Sequence, residues 1–164
     1  MLDVMDTRWD VHIRPLADRP DLLETVARWE FEAWGYLSPG ATLAGRIDDV
    51  RTAMRVDGVP MAFVALDDAG TAVGTASLID DDLPGDLRNP WLANVYVAPS
   101  ARRTGVGSRL VDAVEQQAAR FGYRRLYLFT ATVPQLYARL GWQTLETRDY
   151  RGEDITVMAK DLPA

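Results

Sequence analysis

The sequence predicts a single-domain mixed α/β (α+β) protein whose sheet carries helices on its faces. Three observations predict it. The first is length: 164 residues suit one domain, taken as residues 1–164, and can bury a core without covalent staples. The second is composition: 48% apolar and 26% charged residues mark a globular chain and not a disordered one. The third is element order, β-α-α-β-β-β-α-β-α-β-β. A meander of strands that runs into a β-α-β unit gives a mixed sheet.

Each element has its own signal. Val11-His12-Ile13-Arg14 alternates before Pro15 and predicts a first strand. A helix is expected over Asp21–Trp34, with Asp21 as N-cap, Glu24 three residues on, and Leu22, Val26, Trp29 and Ala33 as its apolar stripe. Gly35 stops it. A second helix is expected over Thr42–Val56, with Leu43, Ile47, Val50 and Met54 on one face, until Gly58 and Pro60 break it. Strands at Met61–Leu66 and Thr71–Ile79 flank Asp67-Asp68-Ala69-Gly70, which suits a hairpin turn. Asp80–Pro90 reads as a polar loop and Trp91–Val97 as the next strand. A helix follows from Ser108 to Phe121; Val106, Leu110, Val114, Ala118 and Phe121 are its buried set, and Gly122 is its stop. Arg125–Thr130 has the continuous apolar centre of a buried strand. Pro134 suits the first turn of a short helix, Pro134–Leu140, which Gly141 ends. Trp142–Glu146 and Ile155–Ala159 read as the last strands, around the turn-rich Asp149–Asp154.

Composition removes several functions. There is no cysteine, so disulfides, thiolate metal sites and cysteine nucleophiles are excluded. His12 is the single histidine, and no metal is expected. The net charge is −6 and no basic run exceeds two residues, which argues against a nucleic-acid partner. No apolar run approaches the roughly 20 residues needed to span a membrane. Met1–Asp10 is acidic and lacks the apolar region of a leader, so a cytoplasmic location without membrane contact is expected.

The chemistry concentrates at Arg102-Arg103-Thr104-Gly105-Val106-Gly107, between a strand and a helix start. The first turn of a helix leaves N–H groups free and carries positive potential, so it suits an anion. Gly105 and Gly107 remove Cβ atoms that would hold a phosphate off those groups, and Arg102 and Arg103 add charge. A P-loop needs Lys and then Ser or Thr after its second glycine, where this chain has Ser108-Arg109. A dinucleotide fingerprint needs a third glycine, where this chain has Leu110, and an acidic residue ending the next strand, where it has Thr130.

Arg102-x-x-Gly105-x-Gly107 resembles the pyrophosphate-binding signature of the GCN5-related N-acetyltransferases. The preceding strand ends Val-x-Val-x-Pro, and Leu136-Tyr137-Ala138-Arg139-Leu140-Gly141-Trp142 resembles that family's second motif. The resemblance is strongest over Trp91–Trp142. It implies a mostly antiparallel sheet of six to seven strands with a central splayed parallel pair, here Trp91–Val97 and Arg125–Thr130, and about four helices on both faces. It implies acetyl-coenzyme A as co-substrate, lying between the two splayed strands.

Residue by residue, the resemblance gives the pantetheine arm to the backbone of Val95, Tyr96 and Val97, with the Val97 N–H polarising the thioester carbonyl. Val95 and Val97 also read as plain core strand residues. Arg102, Arg103, Thr104, Gly105, Val106, Gly107 and Ser108 match the pyrophosphate-wrapping segment. Tyr137 matches the tyrosine near the coenzyme sulfur, a proton or hydrogen-bond donor to the departing thiolate; it also reads as a half-buried aromatic on a short helix. Thr130 stands where many members carry Asn, so the hydroxyl is kept and the amide lost.

The general base does not transfer, because Trp91–Val97 contains no carboxylate. Trp91 and Asn94 are the nearest polar positions on it; a base could act through water from Asp80, Asp81, Asp82 or Glu32, and the aspartate run reads as a solvated loop ahead of a catalytic one. The acceptor side would involve Trp34, Tyr36, Asp80–Asp82, Trp91, Trp142 and Tyr150, with Trp29 as core. Aromatics among carboxylates suit a cationic amine, from a small molecule or a peptide. The expected reaction is direct attack of a primary amine in a ternary complex. A non-catalytic acyl-coenzyme A sensor and transfer of a larger acyl group are the rival expectations. The resemblance also allows a homodimer through the terminal strands.

Overall fold

A computed structural model describes residues 10–163; residues 1–9, on which most of the leader reading rests, and 164 lie outside the described residues. Seven strands form one sheet: β1 His12–Pro15, β2 Met61–Leu66, β3 Ala72–Ile79, β4 Trp91–Val97, β5 Arg125–Thr130, β6 Gln143–Tyr150 and β7 Glu153–Asp161, in the order β1-β2-β3-β4-β5-β7-β6. β4 and β5 run parallel, and the other neighbouring pairs are antiparallel. Four α-helices join them: α1 Leu23–Trp34, α2 Leu43–Thr52, α3 Val106–Arg120 and α4 Pro134–Arg139. The mixed sheet with helices on both faces is therefore as expected.

Several element ends differ from the sequence reading, each for a local reason. Asp21 does not cap α1. It sits in a 3-10 turn, Pro20–Leu22, where its carboxylate takes the Arg19 guanidinium at 2.9 Å through both oxygens. Helix α1 then starts at Leu23 with no side-chain cap. Helix α2 is capped by Thr42, whose hydroxyl accepts the Gly45 N–H at 3.0 Å. It stops at Thr52 rather than Val56, because the Ala53 carbonyl is drawn off to accept the Ala62 N–H at 2.9 Å. The last two strands are longer than expected. They form one hairpin whose turn, Arg151-Gly152, has φ of 52° and 86°, the left-handed pair that a tight hairpin turn requires. Strand β6 is a mostly exposed edge strand, so its residues carry no apolar alternation to read.

The core divides by sheet face. On one face, Val106, Leu110, Val111, Val114 and Ala118 of α3 pack on Met61, Phe63, Ala76, Leu78 and Leu126, with Tyr137 and Trp142 beside them. On the other, Val26 and Ala27 of α1 and Val50 of α2 cover Ala62, Val64 and Leu66. Beyond α1 and α2 that face is closed by a small cluster of Leu83, Trp91, Ile155 and Val157. Between these covers lies the one parallel pair of the sheet, β4 and β5.

Candidate active site

Strands β4 and β5 pair at one register position, Trp91 opposite Tyr127, secured by the Tyr127 N–H on the Pro90 carbonyl at 3.1 Å. Beyond it they part. The cause lies in β4: its register against β3 slips by one residue between Ala93 and Tyr96, and Asn94 within the slip has φ of 58°. A bulge of this kind bends its strand, and β4 turns away from β5. The Ala98 N–H donates to the Val73 carbonyl at 2.8 Å. Ala98 and, two residues back, Tyr96 thus hold the bonded positions against β3. The Tyr96 backbone, expected to face a pantetheine arm, is therefore taken up by β3. Alternation turns the backbone groups of Val95 and Val97 to the opposite edge, and of these two residues Val95 lines the gap.

The gap is a cleft of about 460 Å³. Leu92–Val95 form one wall and Leu128–Val133 the other, and Tyr137 is part of its lining. Thr130, expected to offer a hydroxyl here, lines the cleft; its oxygen also accepts the N–H groups of Thr132 and Val133 at 3.3 and 3.2 Å. The hydroxyl proton is left to donate.

At the end of β4 the chain passes through a 3-10 turn, Pro99–Ala101, and enters α3. The Thr104 hydroxyl closes this turn on the Ala101 carbonyl. Arg103 and Gly105 follow with φ of 64° and 89°, so the backbone reverses twice before the helix, and no side chain caps α3. The N–H groups of its first turn are open. Val106 is a core residue, while Gly107 and Ser108 are half-buried in the first turn. A Cβ on Gly107 would meet only Val97 Cγ2, at an ordinary 3.5 Å, and φ there is not positive. Among the described residues nothing therefore requires glycine at 107. Arg102 is exposed; it donates to the Val97 carbonyl at 3.0 Å and lies over the Tyr96 ring at 5.8 Å. Tyr96 itself stacks on Trp29 at 5.2 Å and meets the edge of Trp34 at 6.5 Å.

Tyr137 is 7% exposed, and burial pushes its phenol up to about 12. Its hydroxyl takes no partner among the described residues, and no fully buried side-chain oxygen there lacks one, so the hydroxyl opens on the cleft.

The opposite end of the cleft is made by segments far apart in the chain. Trp34 comes from the end of α1, Tyr36 and Leu37 from the 3-10 turn Gly35–Leu37 that follows it, Arg46 and Asp49 from α2, Asp82 from the loop after β3, and Tyr150 and Glu153 from the last hairpin. The Tyr36 hydroxyl bonds Glu153, and Arg151 donates to the Leu37 carbonyl, so hairpin and turn meet. A second chamber of about 310 Å³ continues under α1 and α2, sharing Arg46, Asp49, Asp82 and Asn94 with the cleft and adding Glu30 and Asp81. Glu30 is 2% exposed and accepts from Arg46 at 3.4 Å. Burial outweighs that pairing and pushes its carboxyl up to about 7. Asp82 is also pushed up to about 7 by burial, with the Asp81 charge adding and Arg46 opposing.

Some expected acceptor residues lie elsewhere. Trp91 is fully buried in the cluster with Leu83, Ile155 and Val157, and its indole N–H holds the Arg88 carbonyl, so it anchors the 80–90 loop and does not line the cleft. Trp142 is likewise core. Glu32 and Asp80 are exposed and line neither chamber. Asp81 lines the second chamber only. The reading missed Glu30 and Arg46, although each is a charge on the buried stripe of its helix, beside Val26 and Ala27 or Ile47 and Val50. No group of three or more His, Asp or Glu able to hold a metal occurs among the described residues, and no helix there is long and apolar enough to cross a membrane.

No curated protein sequence matches this chain. Solved structures do match its fold. An aminoglycoside 6'-N-acetyltransferase complexed with coenzyme A is 18% identical, with 93% of this chain and 98% of that one covered at a TM-score of 0.71. A spermidine N-acetyltransferase from Vibrio cholerae, in complex with coenzyme A and spermine, is 15% identical, with 92% and 95% covered at 0.70. A GNAT-family acetyltransferase from Streptococcus pneumoniae is 18% identical, with 94% and 100% covered at 0.67. The sequence model of the acetyltransferase (GNAT) family matches residues 20–142, spanning α1 to the end of the Tyr137 motif, and the chain belongs to that family.

Proposed function

We propose that this protein is an acetyl-coenzyme A-dependent N-acetyltransferase acting on a primary amine that carries positive charge. One observation carries the reading: β4 leaves β5 after a single pair, which opens a cleft lined by Val95 and Tyr137, and the chain runs on from β4 into a helix start with no side-chain cap. The residues fit the coenzyme. Gly107, which the chain's own packing does not require, lets a pyrophosphate approach the N–H groups of the first turn of α3, and Arg103 adds charge. The edge of Val95–Val97 pairs with an extended amide-bearing arm. Acetyl-coenzyme A, when bound, supplies the acetyl group as an activated thioester.

The chain's own residues do the rest. The Val97 N–H holds negative charge as it develops on the thioester oxygen. Tyr137 faces the departing sulfur. A phenol at about 12 keeps its proton against an alkyl thiolate, the thiol of a free cysteine titrating at about 8.5. Its contribution is therefore a hydrogen bond from an intact hydroxyl rather than full transfer. Asp82, near 7 and in no ion pair among the described residues, takes a proton from the arriving ammonium, directly or through water. Asp49 and Glu153 with Trp34, Tyr36 and Tyr150 favour a cationic acceptor. The enzymes of the same fold named for aminoglycosides and for spermidine act on amines of this character.

Calorimetry with acetyl-coenzyme A and a thiol-release assay against a panel of amines and N-terminal peptides test this reading. Binding and thiol release with a cationic amine are expected. Tyr137→Phe should lower kcat about 100-fold and change the coenzyme Kd less than about twofold. Absence of coenzyme binding would sink the proposal, and binding without release on any acceptor would make the chain an acyl-coenzyme A-binding module.

A further inference from the structure

Helix α4 has six residues and no side-chain cap, too little to be stable by itself, yet it carries Tyr137. What fixes it lies behind the cleft. The Tyr137 ring stands edge-on to Trp142 at 6.2 Å, and the Trp142 N–H donates to the Tyr137 carbonyl at 3.0 Å. Trp142 is held in turn: its indole N–H donates to Glu115 of α3 at 3.2 Å. The other oxygen of Glu115 lies 2.8 Å from the ammonium of Lys160 on β7. That ammonium also donates to the Leu140 carbonyl at 2.7 Å, at the exit of α4. A Cβ at Gly141 would meet the Lys160 Cε and Nζ at 3.5 and 3.6 Å, so the lysine side chain crosses directly over this turn. The chain of contacts Leu140–Lys160–Glu115–Trp142 thus ties the end of α4 to α3 and β7.

Lys160 is the sole lysine among 18 basic residues. Its position suits a compact ammonium, whose donors diverge to reach a carbonyl and a carboxylate at once. A planar guanidinium fork directs its donors differently and needs more room.

We infer that Glu115 and Lys160 are positioning residues that hold Trp142 against the Tyr137 ring and so keep the phenol aimed at the reacting sulfur. The inference rests on the reading of Tyr137 given above. Neither residue lines the cleft, so neither is expected to touch coenzyme or amine.

The test is a double-mutant cycle on the full chain. Glu115→Gln and Lys160→Met are made in the native background and in Tyr137→Phe, and kcat, amine KM and coenzyme Kd are measured. Each is expected to lower kcat about tenfold where Tyr137 is present and less than about twofold in the phenylalanine background, with coenzyme Kd unchanged. Lys160→Arg is expected to behave like Lys160→Met. Equal losses in both backgrounds, or full activity in Lys160→Met, would overturn the inference. Because Lys160→Met can unfold the α4 region, the Tyr137 ring is also followed by aromatic NMR in Glu115→Gln, which keeps the shape of the side chain. Faster ring flipping supports positioning, and an unchanged ring refutes it. If Tyr137→Phe alone leaves kcat unchanged, the catalytic reading of Tyr137 fails first, and the NMR result still decides whether Glu115 orients the ring.

Discussion

The two ends of the cleft are built from different materials. The proposed donor side is backbone: the edge of Val95–Val97, the left-handed Arg103 and Gly105, and the open first turn of α3 lie within fifteen residues of one another in sequence order, from β4 into α3. The proposed acceptor side is side chains from four distant segments, and one of its contacts, Tyr36 to Glu153, spans 117 positions. A backbone site constrains which residues are small or left-handed, so substitutions within it act on the ligand while leaving the fold alone. A side-chain site is held by charge in partly dry surroundings, so its substitutions change pH dependence and stability together.

Gly107→Ala tests the first half of that contrast and carries the largest expected effect. The added methyl meets Val97 at an ordinary distance, and alanine favours the helix, so the melting temperature should hold or rise. Coenzyme Kd should nevertheless rise about 100-fold, about 2.7 kcal/mol. Equal binding by the variant would show that no ligand approaches this turn closely.

The same contrast explains what could be read in advance. The loop from Arg102 to Gly107 announces itself because glycine and arginine at fixed offsets are a local pattern, and the hairpin and helix stops follow from Gly70, Gly122 and Gly141 in the same way. The bulge that opens the cleft was not legible: Leu92-Ala93-Asn94-Val95 reads as an unbroken strand, and only pairing with β3 shows Asn94 to be the extra residue. Trp91 was misplaced because its side-chain direction depends on that strand's register. Glu30 and Arg46 carried a faint signal, charge on an apolar stripe, but their meeting depends on how α1 and α2 pack. Glu153 carried none, since the length of the last hairpin is hidden in the exposed, patternless β6.

Asp82→Asn probes the side-chain end with an intermediate effect. The Asp82 carboxyl is raised from 3.8 to about 7, so it is ionised only above that point, and the rate should climb through pH 7 and level off. The variant should lose this limb and about tenfold in rate at pH 8. The sign for stability is opposite. A raised pKa means the folded state holds the proton more tightly between about pH 4 and 7, so folding weakens as pH rises through that window. Removing the charge should make the variant slower but, at pH 8, more resistant to urea. A variant that is both slower and less stable would indicate that Asp82 is paired in the native state.

Asp86→Asn carries the smallest expected effect and reverses that sign within the same loop. The Asp86 carboxylate accepts from Arg88 at 2.6 Å and from Arg148 of β6 at 3.2 Å, and these partners hold its carboxyl down at about 2. A depressed pKa stabilises the fold above the unfolded value of 3.8 and loses that contribution as pH falls toward 2. Linkage alone gives about 2 kcal/mol; both arginines are partly open to solvent, and screening leaves about 1. Urea titrations at pH 7 should show the variant weaker by that amount, and the difference should shrink as pH falls toward 2 and vanish below it. Since this network clamps the loop that presents Asp82, amine KM should rise about threefold with coenzyme Kd unchanged, matching about 0.7 kcal/mol of lost positioning. A coenzyme Kd that moved with it would mean that the two ends of the cleft are not independent.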